Sequence, residues 1–151
     1  MNSDDSVAVQ QPVSTAASAG SLVLELGAGL GAAVAGAVLW AFTTILTGYE
    51  IGIMAVAVGF LVGNAVIFVA KHGNATLGAA GALLSLFGCL LGNLLSAVGF
   101  AAQAANISYF EALQRLNPDI AIQLFKATFG MMDLLFYAIG IYEGYRFASR
   151  R

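Results

Sequence analysis

Asp133 and Glu143 are carboxylates inside the last long apolar stretch of this chain, and Asn64 and Asn93 are amides in the middle of two others. Ionisable groups in hydrocarbon are costly and are functional hypotheses by default. Together, Asp133, Glu143, Asn93 and Asn64 could line a polar path for an ion or a proton. Each also has a structural use, and the structural use is favoured. Asp133 lies near a span end, where it can cap a first turn or bond to a neighbouring helix. Glu143 and Arg146 form an i,i+3 pair, and Arg146 could also serve Glu25 at the same level. Glu50 could meet Lys126 or Arg115. Interhelical amide bonds, worth ~0.6 kcal/mol on average, suit Asn64 and Asn93 as register markers.

The residues needed for enzymatic chemistry do not converge. His72 is the lone histidine and Cys89 the lone cysteine, whereas a zinc site needs three or four ligands. Cys89 reads as a small hydrophobe packed in a helix. Ser85 and Ser96 lack a nucleophile-elbow pattern, and no phosphate-cradling G-x-x-x-x-G-K-[ST] motif occurs. No catalytic, cofactor-binding or metal residue is therefore assigned.

The elements that carry these groups follow from composition. Of 151 residues, 60% are hydrophobic and 9% charged, and a body this size cannot hide so much apolar surface within itself. The solvent it needs is a lipid bilayer, which excludes a soluble enzyme and a disordered chain. A net charge of −2 leaves no basic surface for nucleic acid. Residues 1–20, polar and small, read as a disordered tail, and residues 21–151 as the membrane domain.

Four stretches reach the ~20 apolar residues a membrane helix requires: roughly Leu22–Leu46, Ile51–Ala70, a long run from Ala75, and about Thr128–Phe147. The fold class is all-α, a four-transmembrane-helix antiparallel bundle whose short links force sequence neighbours to pack against one another. The longer link, Asn106–Ala127, is expected to hold a short interfacial helix, because Tyr109, Phe110, Leu113 and Leu116 share one side. Asn117-Pro118-Asp119 reads as a helix start within it. Lys71, Arg146, Arg150 and Arg151 fall on one side of such a topology, and Arg115 and Lys126 on the other. The excess marks the cytoplasmic face of a bacterial inner membrane and puts both termini there.

Eighteen glycines would weaken soluble helices, but in lipid they let backbones approach closely. Gly52, Gly59 and Gly63 form a stripe in the second span. Gly88 and Gly92 extend a run from Gly81 to Gly99 in the third, and Gly140-x-x-x-Gly144 marks the fourth. Gly29, Ala33 and Gly36 share one side of the first, with Gly27 and Gly31 beside it. These stripes line the bundle or join protomers, and leucine at Gly92 should loosen it.

The run Gly36-Ala-Val-Leu-Trp40, then Thr47-Gly-Tyr-Glu-Ile-Gly52, Ala55 and Gly59-Phe-Leu-Val-Gly63 resembles an uncharacterised bacterial four-helix membrane domain found alone or behind a zinc-ribbon module. The likeness spans residues 30–70 best. It implies fold and topology and brings no activity with it. The expected function is a non-enzymatic scaffold or accessory subunit that binds other membrane proteins, or itself, through small-residue helix faces. The alternative is a small oligomeric ion or proton conductor using Asp133.

Overall fold

In the computed structural model, residues 15–49 and 52–150 are described; the expected tail over residues 1–14 and the Glu50 pairings lie outside them. Six α-helices pack together among these residues: α1 Thr15–Thr47, α2 Met54–Ala70, α3 Ala75–Ala105, α4 Tyr109–Gln114, α5 Pro118–Thr128 and α6 Met131–Ala148. α1 thus begins inside the stretch read as a tail, because its Ala/Ser-rich start simply continues the helix.

The boundaries have local causes. Asn74 Oδ1 accepts the Leu77 N–H at 2.8 Å to start α3. Asn106, in the left-handed region at φ 54°, ends it. Ser108 caps α4 through the Glu111 N–H. Asn117 caps α5 through the Ile120 N–H at 2.8 Å, with Pro118 in the first turn. The expected interfacial segment is therefore two helices, separated where the Arg115–Asn117 turn interrupts the ladder.

α1 and α3 are long and apolar enough to cross a membrane, and a third candidate span arises if α5 and α6, bent by 102°, count as one broken span. α2 is apolar but only 17 residues long. The protein is thus an all-helical, multi-pass membrane protein with two to three candidate spans. Unbroken over 31 residues, α3 is about 46 Å long at ~1.5 Å per residue, more than a ~30 Å hydrocarbon core.

Contact registers give the helix directions. Gly36 meets Val58 and Gly29 meets Val66, so α1 and α2 run oppositely. Gly88 meets Ala33 and Gly92 meets Trp40, so α1 and α3 run together; Gly59 meets Gly140 and Gly63 meets Gly144, so α2 and α6 do likewise. α3 touches every other helix, while α1 and α6 occupy opposite corners without backbone contact. The N-terminal side of α1, the 71–74 turn and the end of α6 consequently share one end of the bundle.

The core is built from small residues. Ala33, Ala55, Val58, Val62, Cys89, Trp40 and Tyr137 form one buried cluster, and Val66, Ala70, Leu77 and Ala148 a second towards the other end. Large side chains point outward instead: Phe68 is 83% exposed and Leu83 68%. That inversion of a soluble core is what hydrocarbon solvent permits, since lipid tails are as apolar as leucine and helices associate through contact rather than water exclusion.

Candidate functional site

Six of the seven glycines singled out by spacing stand at helix–helix contacts; the seventh, Gly52, expected in the second span, lies instead in the turn before α2, against α6. A Cβ on Gly140 would lie 2.6 Å from the Ala55 carbonyl oxygen, and one on Gly144 2.7 Å from that of Gly81. Gly59 and Gly63 face Gly140 and Gly144 across the α2–α6 seam; Gly88 lies against Val58 and the Ala33 backbone; Gly92 lies under Trp40; Gly52 lies under Phe136. Gly20, Gly27 and Gly31 differ: nothing lies within 4 Å of an added Cβ.

The four polar residues do not meet. Asp133 sits in the first turn of α6, where its Oδ2 accepts the Gly130 N–H at 2.7 Å. This half of a capping box secures the turn after the α5–α6 break. Asp133→Ala should therefore lower thermal stability by about 0.3–1.5 kcal/mol, measured as unfolding in detergent. Glu143 lines an outer groove between α2 and α6 with Phe60 and Arg146, and its pair with Arg146 is 3.6 Å long. Asn64 donates to the Phe60 carbonyl at 2.7 Å, within its own helix. Asn93 is 2% exposed and accepts from Thr128 Oγ1 at 3.0 Å. No hydrogen bond joins any two of these four.

Asn93 belongs to a buried polar layer beneath the α5–α6 bend. Thr128, the last residue of α5, reaches it, and Phe129 and Tyr137 stack edgewise just beyond, at 5.9 Å between centroids. The Tyr137 ring also meets Trp40 edge-on at 6.3 Å. Ser85 and Ser96 donate to the carbonyls of Gly81 and Gly92, one turn back; such back-bonding satisfies the hydroxyl inside an apolar bundle. Thr44 is fully buried and its Oγ1 has no partner. Among the described residues, no group of three or more His, Cys, Asp or Glu could hold a metal ion.

On the α4 side, the Tyr109 hydroxyl donates to the Leu95 carbonyl at 3.2 Å, and burial raises the phenol above its ordinary pKa. Arg115, just past the end of α4, pairs with Glu111 one turn back at 2.6 Å. That exposed pair adds little to stability.

Sequence reasoning underrated Glu25. It was expected to share Arg146, but α6 makes no backbone contact with α1, and Arg146 pairs with Glu143 on the outer surface. Glu25 is instead 4% exposed. Its position four residues before Gly29, on the buried stripe of α1, was the available signal.

A scan against protein-family models, a search of curated proteins and a search of solved structures each find no match, so the likeness to the bacterial four-helix domain identifies no family.

Proposed function

We propose that this chain is a non-enzymatic scaffold or accessory subunit of a bacterial inner membrane, and that it pairs with another membrane protein or a second copy of itself through the outward face of α1. The observation that carries this reading is the division of the glycines. Those of α2, α3 and α6 are consumed by contacts inside the bundle, whereas Gly27-x-x-x-Gly31, with Gly20 two turns earlier, is open. Open small-xxx-small faces in lipid favour helix pairing. The cap formed by Asp133 and the separation of the four polar residues favour this reading over the conductor.

Replacing Gly27 and Gly31 together by leucine should abolish crosslinking or co-purification through α1 while leaving thermal unfolding in detergent within about 0.5 kcal/mol, as for a surface change. Retained association would overturn the proposal. Leucine at Gly59 or Gly92 is the wrong probe, because those positions report on the bundle itself.

In the same reading, α1, α2, α3 and the α5–α6 pair make four crossings, with α2 as a short span and both termini cytoplasmic. Support comes from Lys71, Arg146 and Arg150 at one end of the bundle and Arg115 and Lys126 towards the other. Single cysteines at His72 and Gln114, both exposed, should label from opposite sides with an impermeant reagent; Cys89 is fully buried and gives no background. Labelling of both from one side would refute four crossings.

A further inference from the structure

α5 rests on α3 alone among the described helices, and the two leave between them an open groove of about 500 Å³. That is within the ~300–1,000 Å³ of sites that take a small molecule. Phe87, Leu90 and Leu94 of α3 and Ile122 and Phe125 of α5 line it, and Lys126 is its one charged lining residue among those described. Lys126 is exposed and makes no ion pair with a described residue. The groove continues along α3. Leu83, Phe87, Leu90 and Leu94 follow one another at helical spacings on one face, and the first three are exposed. From Leu83 to Leu94 this stripe is about 16 Å long at ~1.5 Å per residue, close to the ~15 Å of hydrocarbon in one leaflet. Its upper end has a defined level. Gly88 meets Val58 and α2 runs against α3, so Leu94 stands level with the turn before α2, at an end of the bundle.

We propose that this groove is a binding site for one anionic phospholipid, with an acyl chain along the α3 stripe and the phosphate on Lys126. Apolar contact and a lysine facing the headgroup layer are the two terms that hold anionic lipid to a helical surface. A zwitterionic headgroup fits less well, because its own cation finds no acceptor. Asp119, the one carboxylate of α5, stands two turns from Lys126, and Asp133 Oδ2 is held by the Gly130 N–H. The proposal uses no residue of the α1 pairing face.

The test is native mass spectrometry of the full chain, released from detergent with equimolar palmitoyl-oleoyl phosphatidylglycerol and phosphatidylcholine. The expected result is a one-lipid adduct that favours phosphatidylglycerol about fivefold, the preference one lysine contributes at an anionic surface. Lys126→Ala should remove that preference and Lys126→Arg should keep it. Leu90→Trp, which fills the groove, should weaken the adduct with either lipid. Both side chains are exposed, so thermal unfolding of these variants should match that of the parent chain and separate lipid loss from misfolding. Equal occupancy by the two lipids, or an adduct unchanged in both Lys126→Ala and Leu90→Trp, would overturn the proposal. Displacement of phosphatidylglycerol by equimolar palmitate would also overturn it, in favour of a fatty acid.

Discussion

Leucine at Gly140 is expected to separate α2 from α6 and to lower stability by more than the ~1–3 kcal/mol of ordinary overpacking. The added Cβ would meet the Ala55 carbonyl oxygen at 2.6 Å and the Cys89 sulfur at 3.4 Å. A side-chain tip can swing aside, but a helix carbonyl moves only with its helix. Gly59 opposes Gly140 in the same seam, so relief on one side is blocked from the other. Leucine at Gly92 is the milder case: its Cβ meets the Trp40 ring at 3.1 Å, and an ordinary ~1–3 kcal/mol loss is expected. Thermal unfolding in detergent should rank Gly140→Leu well below Gly92→Leu, and both below Gly27→Leu, whose Cβ meets nothing. An equal melting point for Gly140→Leu and Gly27→Leu would contradict the α2–α6 seam.

Trp40→Ala should cost about 3–5 kcal/mol, the range for removing a large buried aromatic. Trp40 is 2% exposed, lies over Gly92, and presents an edge to Tyr137 across the bundle. It joins α1 to α6, whose backbones make no contact with each other. In a membrane the loss is one of contact, because lipid cannot fill an enclosed cavity and the lining atoms forfeit their dispersion partners. Trp40→Phe should retain a substantial part of the stability. Circular dichroism is the appropriate monitor, as this is the chain's one tryptophan. A loss below about 1 kcal/mol would show that the α1–α6 bridge carries no weight.

The membrane class, the all-helical fold and most helix ends were legible because they rest on local causes. Apolar run length marks a span, and Asn74 and Asn117 cap the helices that follow them. The spacing of Gly59 with Gly63 and of Gly140 with Gly144 identified contact stripes for a similar reason: on a helix, residues four apart share a face. The second helix was less legible. Glycine and isoleucine before Met54 are as apolar as the rest, yet they form a turn, so α2 is shorter than the run that contains it.

From composition and periodicity alone came a hydrocarbon-embedded helical protein with small residues where its helices touch. Tertiary packing alone decided which face of α1 turns inward, that α5 and α6 break by 102° above Asn93, and that Glu25 rather than Asp133 is the buried carboxylate. The reason is that lipid sets no strong preference between two apolar faces. Water sorts the sides of a soluble helix by polarity, whereas in a bilayer the choice falls to the fit of one backbone against the next, a property of residues far apart in the chain.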